Sequence, residues 1–130
     1  MNQLQAATLY IGLLGLLMLV LKLNVGRVRT SQKVAFGDGG NDSVQRAIRV
    51  QGNAVEDVPV LLLGLIGLAL LSAPVWLIHG LGAGFLLGRV LHAIGLGGSS
   101  GTSFGRFTGT LISVLAILVA SGACLWFALT

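Results

Sequence analysis

The chain has 130 residues, of which 55% are hydrophobic and only 9% charged, with 20 glycines and a mean hydropathy of +0.93. So little charge cannot clothe the surface of a water-soluble domain, which excludes that class and points to a single integral membrane domain over residues 1–130. Eight Lys and Arg against four Asp and Glu leave a net charge of +4, but the basic residues are dispersed and not interleaved with stacking aromatics, which argues against a nucleic-acid surface.

The first apolar stretch runs from Leu4 to Leu21. Asn2, Gln3 and Gln5 provide no positive leader and no small-residue cleavage site follows, so it is expected to be a membrane span and not a cleaved signal. It carries no carboxylate, which weighs against a small proton-coupled exporter. A polar connection over 30–43 follows, with Gly-Asp-Gly-Gly-Asn-Asp at 37–42 forming a turn and Asp42 or Ser43 expected to cap the next helix. Those glycines lack the Gly-Lys-Ser/Thr ending of a phosphate loop.

The second helix is expected from about residue 44 to about residue 71, its apolar part being Val58 to Ala73 and its first turns strongly polar. At ~100° per residue, Arg49, Asn53 and Glu56 fall within a ~60° sector, with Arg46 and Asp57 on its flank. Facing lipid, such residues would be costly, by ~2.5 to 3.5 kcal/mol for an Asp at mid-membrane. The stripe must therefore face the bundle interior, a subunit interface or a wet cavity. Ionisable residues in a membrane point to a functional site, the competing reading being a structural ion-pair network. Pro59 leaves the carbonyl of Val55 without its helical donor and should bend the helix.

An uncharged Ser-Ala-Pro link at 72–74 leads into the third span, Val75 to Leu96. Gly80, Gly84 and Gly88 recur there at four-residue spacing, a pattern that lets another backbone approach. Arg89 and His92 form a second polar ridge, while His79 lies toward the other end and reads as a structural residue. The fourth span, Phe107 to Leu129, repeats the small-residue pattern with Gly105, Gly109 and Ser113. Arg106 opens it, against the helix dipole, so topology or a ligand must explain that charge. The lone Cys124 excludes an intrachain disulfide and reads as packing; no metal-ligand spacing occurs anywhere.

All eight basic residues lie around the first and third connections, which by the positive-inside rule places both connections in the cytoplasm and both termini outside. An all-α, up-down-up-down four-helix transmembrane bundle follows. Where helices II, III and IV meet, their polar ends would share a cytoplasm-facing pocket whose guanidinium groups suit carboxylates and whose carboxylates suit an ammonium. A small zwitterionic peptide fits that inventory.

The segment Arg49-Val-Gln51-Gly-Asn53-Ala-Val-Glu56-Asp57-Val-Pro59 resembles the Arg-x-Gln-x-Asn-x-x-Glu-Tyr-x-Pro signature of the MAPEG family, the membrane-associated proteins of eicosanoid and glutathione metabolism. Ala-Phe-Gly-Asp-Gly-Gly at 35–40 and Gly88-Arg89-Val-Leu-His92 look like its small bacterial inner-membrane branch. The resemblance implies a homotrimer with glutathione as co-substrate between subunits near the cytoplasmic side, and lipophilic electrophiles or peroxides arriving from the membrane lipids. It assigns glutathione contacts to Arg49, Asn53 and Glu56, with Gln51 from the adjoining subunit and Arg27 or Arg29 reaching a neighbour's ligand. Asp57 and Arg89 join the candidate binding set. His92 stands where the eicosanoid enzymes place a ligand-contacting Tyr, and Arg106 is the candidate for thiolate stabilisation. Asp57 departs from the pattern, standing where the family has Tyr. The alternative within the same fold is a non-catalytic protein that binds a lipid or small anion.

Overall fold

A computed structural model describes residues 1–130 as four helices: α1 (Gln3–Gln32), α2 (Asp42–Leu70), α3 (Val75–Gly98) and α4 (Phe104–Leu129). Each is long and apolar enough to cross a membrane. Consecutive helices run in opposite directions. Helices α2 and α3 occupy the middle, each touching all the others, whereas α1 and α4 do not meet.

Helix α1 continues well beyond the apolar stretch ending at Leu21, because no proline interrupts the polar residues that follow it. Its start is a capping box between Asn2 and Gln5, and its end is Lys33 in the left-handed conformation (φ 56°). The first connection is therefore shorter than expected. The cap of α2 is Asn41, whose side chain accepts from the Val44 N–H, rather than Asp42 or Ser43, which already lie inside or beside the first turn. Asp42 pairs instead with Arg46 one turn on. Helix α2 passes through Pro59 without a break.

The apolar core runs along the bundle axis, with Leu14, Leu61, Leu65, Leu68, Ile78 and Phe85 fully buried. Helix α4 contributes to it differently. Its buried residues are all small, Gly109, Ser113, Ala116 and Ala120, while Leu111, Val114, Leu118, Leu125 and Trp126 face outward. This inversion is what a helix in hydrocarbon requires, since lipid solvates large apolar side chains and small residues permit close backbone approach.

Glycine determines how near α3 and α4 come. A Cβ on Gly109 would collide with the carbonyl of Gly88 and lie 2.8 Å from the Cβ of His92. One on Gly105 would lie 2.8 Å from the Leu91 carbonyl, and one on Gly95 would strike the backbone of Gly105 and Arg106. The partner of the Gly105, Gly109, Ser113 stripe is thus Gly88, His92 and Gly95. Of the four-spaced set on α3, only Gly88 serves this contact; Gly80 and Gly84 face open space. At the other end Gly82 admits the ring of Tyr10, whose hydroxyl meets the Nδ1 of His79 at 3.0 Å and its carbonyl at 3.2 Å. His79 is accordingly a structural residue, partnered by Tyr10. Cys124 packs against α2, its thiol 3.5 Å from the Gly64 carbonyl.

Replacing Gly109 by Ala should cost about 1–3 kcal/mol, the range for overpacking a close contact. Gly122→Ala, on the same helix with nothing within 4 Å of its added methyl, should be neutral or stabilising by up to about 1 kcal/mol. Thermal unfolding midpoints of the detergent-solubilised variants measure both.

Candidate functional site

The polar residues of α2 divide into two groups that face different surroundings. The outer group lies where the start of α2, the end of α3 and the start of α4 come together. Arg46, Arg49, Asn53 and Arg106 line a cavity there of about 200 Å³, with Asp42, Gln45, Leu96 and Ser100. Three of the side chains singled out by sequence, Arg49, Asn53 and Arg106, are thus brought to one place from two helices distant in sequence. Gln45 and Ser100 were not foreseen; neither carries a charge or a motif that would mark it.

Two of the three guanidiniums in this cavity, those of Arg49 and Arg106, are only partly answered. Arg49 lies 3.7 Å from Glu56, one loose contact between two exposed side chains. Arg46 is paired with Asp42. Arg106 donates to the Ser100 carbonyl at 3.0 Å and the Gly101 carbonyl at 3.4 Å, so its guanidinium turns back from the helix start and has no carboxylate partner. Asn53 donates its amide to the Arg49 carbonyl, leaving its oxygen free to accept. Three guanidiniums against one lining carboxylate, Asp42, give the cavity a cationic character suited to an anion, while Glu56 lies outside the lining and meets it only through Arg49.

The inner group is a closed ion-pair network. Arg89 is buried, its side chain only 2% exposed, and two of its three nitrogens are hydrogen-bonded to neighbouring helices. Its Nε donates to the Ser113 hydroxyl on α4 at 2.9 Å, and its Nη1 to the Asp57 carboxylate at 3.0 Å and the Asn53 carbonyl at 3.2 Å, both on α2. The guanidinium also lies 5.7 Å from the centre of the Phe85 ring. Ser113 in turn donates a hydrogen bond to the Gly109 carbonyl at 2.8 Å. Arg89 and Asp57, expected beside Arg49, therefore hold one another beneath the cavity instead of lining it.

His92 is buried against Gly109 and does not line the cavity either, although Arg89, Arg106 and Arg49 all lie within electrostatic reach of it. Gln51 is half-buried on α2, about 200° around the helix from Arg49, and faces away from the cavity. Of the two helix I candidates, Arg29 donates to the Gly37 carbonyl at 2.6 Å and so braces its own connection. Arg27 bonds only the side-chain oxygen of Asn24, at 2.9 Å and 3.3 Å, beside a separate groove.

Residues 7–126 match the sequence model of the MAPEG family. Among curated proteins, the inner membrane protein YecN of Escherichia coli K12 is 37% identical over 89 residues, covering 68% of this chain and 68% of that protein. The uncharacterized protein sll1147 of Synechocystis sp. PCC 6803 is 35% identical over 113 residues, 85% of this chain and 82% of that one. No solved structure matches with significance.

The Asp57–Arg89 pair has a measurable signature. Asp57→Asn should cost about 3–5 kcal/mol, because it strands a buried guanidinium, and Arg89→Gln should cost a similar amount. The double variant should lose far less than the sum. A double-mutant cycle on unfolding free energy reads that coupling.

Proposed function

The chain belongs to the MAPEG family, and on that footing we propose that it is a membrane-bound glutathione-dependent transferase or peroxidase acting on lipophilic electrophiles. It would sit as a multi-pass protein in the bacterial inner membrane, with both termini periplasmic and the site facing the cytoplasm. The observation that carries the reading is the convergence of Arg49, Asn53 and Arg106 on one cationic cavity.

The donor set suits glutathione. Arg49 and Arg46 offer forked donors for its carboxylates, Asn53 an amide for its peptide groups, and Glu56, outside the lining but beside Arg49, an acceptor for its ammonium. Arg106 is the residue suited to the thiol. Its charge is answered only by neutral carbonyls, and a cation beside a thiol favours loss of its proton. The resulting thiolate would attack an electrophile directly, or would reduce a peroxide to the alcohol and water together with a second glutathione, the two leaving as the disulfide.

Asp57 does not oppose this reading. An anionic residue in place of the family's Tyr would repel a carboxylate if it lined the cavity, but its charge is answered by Arg89. The change from Tyr to Asp is compensated inside the bundle.

The resemblance implies a homotrimer, and the small cavity leaves room for a neighbouring subunit to take part in the site. At about 200 Å³ within one chain, the cavity falls below the roughly 300–1,000 Å³ typical of ligand sites. Gln51, turned away from its own cavity, is suited to another chain's. The placement of His92 outside the cavity, where the eicosanoid enzymes have a ligand-contacting Tyr, favours a second reading in which the protein binds an anion without turnover.

Calorimetry should detect glutathione binding by the wild type, weakened at least ~30-fold in Arg49→Ala, the lower end of the cost of removing one partner of a charged contact. Arg106→Ala should retain binding but lose about 10²–10³ in conjugation of a chlorodinitrobenzene, as for loss of one transition-state donor. Binding with background rates in both proteins would leave the non-catalytic reading. Absence of binding in the wild type would remove glutathione altogether. Asp57→Tyr should lower stability without improving affinity.

A further inference from the structure

A second site lies on the other side of α2 from the cavity just described, in a groove of about 340 Å³ between α1, α2 and α3. Its polar end is formed by Asn24, Arg27 and Arg46, its apolar end by Leu21, Val50 and Ala93. The order is that of a lipid. Arg27 lies near the α1 end that carries the basic connection, and the apolar lining extends toward the membrane centre, roughly 10 Å along α1 from Arg27 to Val20.

The charge of this groove has one sign. No Asp or Glu lines it. Arg27 has only the neutral amide of Asn24 as partner. Arg46 is held by Asp42 through Nη1 and makes a long 3.4 Å contact to Ser43 through Nη2, while its Nε is the one buried side-chain polar atom in the protein without a hydrogen-bond partner. The chain itself offers that donor no acceptor. Basic pockets between transmembrane helices at the cytoplasmic surface take anionic head groups.

We propose that this groove binds one anionic phospholipid, its phosphodiester between Arg27 and Arg46 and the upper part of one acyl chain along Leu21, Val50 and Ala93. The groove shares Arg46, and no other lining residue, with the cavity around Arg49, so its Arg27 and apolar end stand apart from the glutathione reading.

The test uses the full chain in mild detergent, offered equal amounts of phosphatidylglycerol and phosphatidylcholine, with bound lipid counted by native mass spectrometry. Phosphatidylglycerol should be retained at least fivefold over phosphatidylcholine by the wild type and by Lys22→Gln, which removes an exposed α1 charge outside the groove. The preference should vanish in Arg27→Gln, which removes the head-group partner, and in Ala93→Leu, which fills the apolar end and leaves every charge in place. Circular dichroism checks that each variant keeps its helix content. Equal retention of both lipids by the wild type overturns the proposal, as does a loss in Lys22→Gln matching that in Arg27→Gln. Full retention by Ala93→Leu excludes an acyl chain in the groove. Complete displacement by millimolar inorganic phosphate would mean that the groove takes a free anion and no lipid.

Discussion

The guanidinium of Arg89 is the group around which this bundle is organised. A full charge buried within a membrane helix needs hydrogen-bond acceptors and a countercharge at hand, and here α2 and α4 supply them together. Asp57 and the Asn53 carbonyl come from α2, Ser113 from α4, and Phe85 from the turn below on α3 itself. Ser113 can be reached because Gly88 and Gly109 let the two backbones close on each other. The small-residue seam and the buried charge are one device: without the glycines the hydroxyl would stand too far off, and without the ion pair nothing polar would fix the rotation of α2 against α3.

That rotation decides where the other charges of α2 point. With Asp57 turned inward to Arg89, the face carrying Arg49 and Asn53 is presented to the start of α4, where Arg106 waits with only carbonyl partners. The two polar groups of this helix therefore have separate tasks, one closing the bundle and the other lining its end. The second is suited to binding because it is incompletely satisfied, with more cationic than anionic groups.

The outer surface follows the same economy of polar groups. Large apolar side chains on α1 and α4 face outward, where hydrocarbon solvates them as well as a protein core would. Charges are confined to the end bearing the first and third connections and to the pair of buried Arg89 with half-buried Asp57. Between α1 and α2 this leaves Arg27 and Arg46 above an apolar floor.

The number of helices, their approximate limits and the importance of the Arg49 to Pro59 segment were legible in the chain itself, because hydropathy over ~20 residues is a local property and a polar stripe in such a helix has few places to go. Asn41 as the cap of α2 and the extension of α1 to Gln32 were less so, since capping depends on which of several adjacent polar residues reaches a free N–H. The assignment of Asp57 and Arg89 was beyond sequence. Periodicity places Asp57 on the flank of the Arg49 stripe, but whether it turns toward a ligand or toward α3 depends on the azimuth of packed helices. Close contact at Gly88, Gly95, Gly105 and Gly109 sets that azimuth, and a glycine seam becomes a contact only when a partner backbone lies against it. Composition and periodicity thus determined a membrane bundle with a polar end. Tertiary packing decided which charges neutralise each other and which stay available, because that depends on distances of a few ångströms between helices far apart in sequence.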